Sequence, residues 1–134
     1  MANKSKYNLQ EVTSPRLARE FLDLPKRIYK GNRNWVCPLN DDIEKVFDPA
    51  RNPLFTDGEA IRWLVCNRKG EAVGRIAAFY NREQAMLEEQ PTGGCGFFEA
   101  INEQEVADQL FDAARMWLAS RGMEAMDGLS LIHI

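Results

Sequence analysis

The chain has 134 residues, enough for one domain or for part of one. Its composition, 45% hydrophobic and 28% charged, is that of a globular protein, no apolar run approaches a membrane span, and residues 1–6 lack the apolar core of a secretion signal. The three cysteines, Cys37, Cys66 and Cys95, share no metal-ligand spacing, so no metal is expected, and their odd number without a secretion signal suits a reducing cytoplasm.

The net charge of −3 is unevenly spread: through Trp35 eight Lys/Arg oppose three Asp/Glu, a balance of +5 that leaves −8 for the rest. A basic N-terminal third can touch nucleic acid or a phosphorylated ligand. No dense basic run is present, so Arg16, Arg19, Lys26, Arg27 and Lys30 read as the solvated face of helices, and a nucleic-acid partner is not expected.

Residues 7–12 alternate weakly and predict a first strand. Ser14-Pro15 starts a helix, with Ser14 as the N-cap and Pro15 at the first helical position. Leu17, Ala18, Phe21 and Leu22 give it an apolar face, and the helix covers 15–29 with a break at Pro25. Pro38, Pro49 and Pro53 punctuate residues 34–54, and between them residues 41–47 suit two helical turns. The acids Asp41, Asp42 and Glu44 lack the glycine and terminal glutamate of a calcium loop, and acids are favoured at a helix N-terminus in any case.

Residues 60–67 and 72–80 predict a hairpin, with Ile61, Trp63 and Val65 on one face and the turn at Asn67-Arg68-Lys69-Gly70. Gly74 marks a bulge or a close backbone approach. Residues 81–89 are polar and helix-prone, and 90–94 read as a loop. The glycines there form no phosphate loop of the Gly-Lys-Ser/Thr kind, and Cys95 has no histidine within reach to activate it.

Residues 97–101 form a short apolar strand carrying one carboxylate, Glu99. Asn102 is the expected N-cap of the next helix, with Glu105 as its capping-box partner. Val106, Leu110, Ala113, Ala114, Trp117 and Leu118 recur at helical spacing and predict a helix over 103–121, closed by Gly122 in a left-handed conformation. A strand over 123–126 completes a βαβ unit, which implies a parallel pair with the helix on one face.

Several ordered stretches, Gly96-Phe97-Phe98-Glu99, Asn102-Glu103-Gln104-Glu105-Val106-Ala107, Leu110-Phe111-Asp112-Ala113-Ala114 and Arg121-Gly122-Met123, resemble the middle of bacterial GNAT-superfamily acetyltransferase-like domains. Asn34-Trp35-Val36, Asp48-Pro49, Asn52-Pro53 and Gly74-Arg75-Ile76-Ala77-Ala78 extend the resemblance over most of residues 7–128. It implies an α+β fold with a mixed sheet, the acyl-coenzyme A N-acyltransferase core, here incomplete at its C-terminus. It also implies acetyl transfer from acetyl-coenzyme A to an amine, and it places 34–54 over the mouth of the cleft, where Trp35 and Phe47 are either pocket walls or packing residues.

Acetyltransferases of this superfamily hold acetyl-coenzyme A at the turn between the central strand and the next helix, in a Gln/Arg-x-x-Gly-x-Gly/Ala pattern. The free N–H groups and the dipole of the helix N-terminus receive the pyrophosphate there. The resemblance lays this site on Ile101, Asn102, Val106 and Ala107. Asn102 and Glu105 stand where the pattern has Gln/Arg and Gly, and Ala107 alone agrees. Glu103, Glu105 and Asp108 bring negative charge to the turn; two unit charges about 6 Å apart repel by roughly 3 kcal/mol at an effective dielectric near 20. The turn therefore reads either as a cofactor site or as a plain capped helix start.

The general base in such enzymes is often a carboxylate on the central strand, and Glu99 is the acid there. The other reading of Glu99 is a surface residue or an ion pair with Arg75. An alternative function on the same fold is a non-catalytic module that binds a ligand or partner. The segment Leu129-Ser130-Leu131-Ile132-His133-Ile134 matches the translation of a sequencing-library transposon end, and its other reading is a genuine apolar C-terminal strand, which Leu and Ile suit. Residues 1–128 are thus expected to be the N-terminal and central part of one domain, with 129–134 an adapter-derived tail and the general acid beyond it.

Overall fold

The structure, a computed structural model, describes residues 6–31, 40–48, 50–52, 56–87, 89–128 and 132–133. Trp35, with Asn34, Val36, Cys37, Pro38, Pro49 and Pro53, lies outside them, as do the side chains of Asp41, Asp42 and Glu44.

The elements in chain order are β1 (Tyr7–Glu11), α1 (Pro15–Ile28), α2 (Asn40–Phe47), β2 (Gly58–Asn67), β3 (Ala72–Asn81), α3 (Arg82–Ala85), β4 (Thr92–Ala100), α4 (Gln104–Ser120), β5 (Ala125–Asp127) and β6 (Ile132–His133). The six strands lie side by side in chain order. All neighbours are antiparallel except β4 and β5, which run parallel across the α4 crossover. Two residues of the 129–134 tail, Ile132–His133, pair with β5.

The expected hairpin is present, with Ile61 opposite Ala78 and Trp63 opposite Ile76. Alternation along β2 and β3 sends residues to two cores. Trp63, Val65, Ile76, Ala78 and Tyr80 join Val106, Leu110, Ala114 and Leu118 of α4 on one face. Leu64, Cys66 and Ala77 join Leu17, Phe21, Leu22 and Leu24 of α1, with Ile43 of α2, on the other. Gly74 is the close approach the sequence indicated: a β-carbon there would stand 2.6 Å from Val106 Cγ1.

Three expectations are corrected. First, α1 does not break at Pro25, which is buried inside the helix. Proline cannot donate to the carbonyl four residues back, that of Phe21. Arg75 of β3 fills the vacancy: its Nη1 donates to the Phe21 carbonyl at 2.6 Å. Second, the N-cap of α4 is Glu103 rather than Asn102, and no side chain caps it. The Ile101 N–H extends the ladder to the Val73 carbonyl and the Glu103 N–H turns back to Ile101 at 2.7 Å. Asn102 is therefore taken up by a tight turn, and the helix starts one residue later. Third, β4 begins at Thr92, so the glycines expected in a loop are strand residues, and β5 begins at Ala125 rather than at 123.

Those glycines are needed by packing. A β-carbon on Gly93 would meet Leu118 Cδ2 at 2.5 Å on the α4 side, and one on Gly94 would meet the Phe79 ring at 2.5 Å on the α1 side.

Candidate active site: a divergent strand pair

The site is built where the two parallel strands part. β5 accompanies β4 only from Thr92 to Gly94. From Cys95 to Ala100 the outer edge of β4 has no strand partner among the described residues. An unpartnered run of backbone N–H and C=O groups is a template for any extended chain that carries amides.

The same stretch is bulged. Between Arg75 and Ala77 of β3, two steps along one strand oppose three along the other, from Glu99 to Gly96. Phe97 sits in the bulge with φ +57°, a left-handed conformation that a bulky residue adopts only when its surroundings impose it. Its ring packs against Phe47 at 5.3 Å and Phe21 at 6.3 Å between centroids. The extra residue shifts the alternation, so that Phe98 packs on Phe111 of α4 at 4.6 Å while Phe97 and Glu99 face α1.

Glu99 is half-buried and accepts a hydrogen bond of 2.6 Å from the Tyr29 hydroxyl, at the C-cap of α1. That bond to a carboxylate, with burial second, holds the Tyr29 phenol above its ordinary range. Arg75 lies opposite Glu99 in the ladder. Its guanidinium donates to two carbonyls, Phe97 from Nε at 2.9 Å and Phe21 from Nη1. It is 4% exposed, and burial pulls it down to about 10, against the opposing pull of Glu99; it remains charged at neutral pH.

The other residues suggested by the sequence fall along the turn into α4. Ile101 ends the β4 ladder and packs half-buried on the α4-side core. Asn102 is exposed in the tight turn. Val106 is fully buried, so only its backbone faces the turn, and its N–H returns to Glu103 at 3.2 Å. Ala107 is half-buried and its N–H shares the same acceptor. The Gln104 N–H precedes the first helical acceptor and adjoins a terminus with no side-chain cap. The carboxylates of Glu103, Glu105 and Asp108 are exposed, so water and salt screen their repulsion well below the value for a half-buried pair.

At the other end of the divergence, a cleft of about 500 Å³ opens beside Gly94 and Cys95. Val46, Ala60, Phe79 and Phe97 give it apolar walls, and Asn52, Asn81 and Asp127 a polar rim. Burial and the nearby Asp127 push the Cys95 thiol up, so it is a neutral wall residue rather than a poised nucleophile. Sequence reasoning missed Tyr29, Asn52, Asn81 and Asp127, because only the folded chain brings them to β4. The positive φ at Phe97 had no signal in the sequence at all.

A mixed sheet whose central strand is bulged, diverges from its parallel neighbour and leads into an uncapped helix is the GNAT acyl-coenzyme A N-acyltransferase fold. Solved structures share it. A GNAT-family acetyltransferase from Staphylococcus aureus superposes with a TM-score of 0.60 at 17% identity, over 90% of this chain and 70% of that one. A tandem GNAT protein from the clavulanic acid biosynthesis pathway reaches a TM-score of 0.68 at 15% identity, over 91% and 36%. By sequence, the chain is 33% identical over 116 residues to the bacterial ceramide synthase of Caulobacter vibrioides, covering 83% of this chain and 29% of that protein. The chain spans less than a third of the length of the curated relatives it matches. No protein-family profile matches it.

The β4 edge from Cys95 to Ala100 offers backbone N–H and C=O groups without a strand partner among the described residues, and the α4 terminus beside it has no side-chain cap. The side chains of the turn, residues 101–107, include no cation. Among the described residues, no helix is long and apolar enough to cross a membrane.

Proposed function

We propose that the protein is an N-acyltransferase that takes an acetyl group from acetyl-coenzyme A and delivers it to an amine. The observation that carries this reading is the parting of β4 from β5 after Gly94, which leaves the bulged edge open between the cleft and the α4 terminus. The edge of residues 95–100 hydrogen-bonds the pantetheine amides, while the turn at Ile101 and Asn102 and the first turn of α4, with Val106 and Ala107, receive the pyrophosphate. The donor supplies an activated thioester. Glu99 acts as the base that takes the amine proton through water, and Tyr29 holds its carboxylate in place. The protein works in the reducing cytoplasm.

The experiment is calorimetry with acetyl-coenzyme A. Binding that is lost in Ala107→Trp supports the reading, since an indole there blocks the entrance to the turn. Absence of binding at millimolar ligand overturns it and leaves a GNAT-fold binding module instead.

A second reading concerns the size of the groups transferred. A ceramide is the amide of a long-chain amino alcohol, and the Caulobacter relative is named for making it. The apolar walls of the 500 Å³ cleft favour a fatty acyl group or a fatty amine over a small polar one. Mass spectrometry of products from acetyl- and palmitoyl-coenzyme A, each offered a sphingoid amine, distinguishes the two readings. Amide formed from palmitoyl-coenzyme A alone favours the second, and amide from acetyl-coenzyme A alone rejects it.

A further inference from the structure

Arg75 is the buried charge among the described residues, and its contacts are unusual for one. A buried guanidinium is costly to desolvate and is ordinarily balanced by a carboxylate fork. Among the described residues, Arg75 donates to two backbone carbonyls from different parts of the fold. Each of these carbonyls has a reason to need a donor. Phe21 lies four residues before Pro25, so its helical partner is missing. Phe97 is the bulge residue at φ +57°, so its carbonyl has left the regular ladder with β3. Aromatic faces complete the enclosure: the guanidinium carbon stands 4.7 Å from the Phe21 ring centroid and 5.8 Å from that of Phe97.

One side chain therefore joins helix α1, strand β3 and the bulge of β4. The bulge determines which way the free edge of β4 presents its N–H and C=O groups. We propose that Arg75 is the positioning residue of the donor site: by clamping the Phe97 carbonyl to the one that Pro25 frees on α1, it holds the open edge of β4 in the shape that the pantetheine arm pairs with. The proposal rests on the acyl-coenzyme A reading above, and it gives the proline inside α1 a part in the site. With the clamp gone, the bulge relaxes toward regular pairing, or the Phe97 peptide turns over, and in either case the edge no longer matches the donor.

The test uses coenzyme A itself with the unchanged protein and with Arg75→Met and Arg75→Lys. Methionine fills the space without a donor, and lysine retains the charge and can serve one carbonyl. The dissociation constant of coenzyme A should rise about tenfold or more in Arg75→Met, the equivalent of a hydrogen-bonding edge put out of register, and by less in Arg75→Lys. Backbone amide exchange supplies a second measurement. It should quicken at residues 97–99 while the β2–β3 hairpin keeps its protection, a pattern that general destabilisation does not produce. If Arg75→Met does not fold, the same two readings on Arg75→Lys decide the matter.

Unchanged coenzyme A affinity in the variants overturns the proposal, and so does exchange that quickens evenly over the sheet. If the unchanged protein binds no coenzyme A, the acyltransferase reading fails first. Exchange then still decides whether Arg75 holds the bulge: quickening confined to 97–99 upholds the clamp, and even quickening removes it.

Discussion

The two faces of the sheet are covered by helices in different ways. On the α4 face, glycine and alanine in the strands let the helix settle onto the backbone, and Val106, Leu110, Ala114 and Leu118 are wholly buried. On the α1 face the strands present Arg62, Arg75, Phe97 and Glu99. There the guanidinium of Arg62 lies 4.5 Å from the centre of the Phe47 ring, and polar groups are satisfied pair by pair. The α1 face is as fully buried at Phe21, Leu24, Leu64 and Ala77, and it differs in carrying the charged groups Arg75 and Glu99 among its rings. The Arg75, Glu99 and Tyr29 part of the candidate site thus lies across β2 to β4 from the α4 packing, while its turn into α4 lies with that packing.

The largest expected effect lies on the packed face. Leu110→Ala should lose about 2–5 kcal/mol in denaturant unfolding, because the wholly buried side chain leaves a cavity against Gly74. A loss below 1 kcal/mol, on the order of a surface change, would erase the contrast between the faces. Next comes a matched pair of glycine substitutions. In Gly74→Ala the new methyl meets Val106 and Leu110, which have no room to yield, and about 1–3 kcal/mol should be lost. In Gly94→Ala it meets the half-buried Phe79 ring, which can swing into the cleft, so about 1 kcal/mol or less should be lost. Equal losses for the two would contradict the picture of a closed helix contact at Gly74 and a ring open to the cleft at Gly94.

Tyr29→Phe is a smaller test on the α1 face. It removes the bond to Glu99 and should cost about 1 kcal/mol, with a lower rate of amine acylation if Glu99 is the base. A variant with unaltered rate across pH would detach Tyr29 from the site.

The smallest effect is at the rim. Glu59 accepts from the Tyr80 hydroxyl at 2.8 Å and from Arg121 at 3.3 Å, and these hold its carboxyl below the usual 4.5. A carboxyl depressed by folding adds stability that is present above its unfolded value. That stability is lost as the pH falls from about 4.5 through the folded value. Glu59→Gln should therefore flatten a small part of the acid limb of the melting-temperature profile and leave neutral pH nearly unchanged. An acid limb identical to that of the unchanged protein would show that the exposed pair contributes nothing.

What could be read in the sequence follows the range of the interactions involved. The β2–β3 hairpin, α1 and α4 were legible because alternation and helical spacing are local properties of the chain. The glycine-rich half of β4 was not, because Gly93 and Gly94 look like a loop until Leu118 and Phe79 are seen pressing on them. Pro25 suggested a break because the donor that compensates for it, Arg75, lies far along the chain. The same limit applied to the site. Glu99 could be picked out as a carboxylate on a central strand, but its partner Tyr29 is 70 residues away in sequence. Asn102 was displaced as N-cap by a bond from Ile101 to Val73 that no local rule anticipates.

The agreement between strand order and chain order bears on how the protein acquires its shape. Strands β2, β3 and β4 form a meander over short connections, the second holding only the single turn α3, whereas β1 and β5 reach it across longer stretches with the helices α1, α2 and α4. Short loops close sooner than long ones, so the meander should form first, the parallel pairing of β5 after it, and the pairing of β1, across the longest stretch of chain, last. In pulse-labelled refolding, amides at 61–66 and 73–79 should gain protection before those at 125–127, and the reverse order would refute this. The divergence of β4 and β5 would then appear only after the meander, so a newly made chain passes through a state with a finished hairpin and the whole outer edge of β4 unpaired.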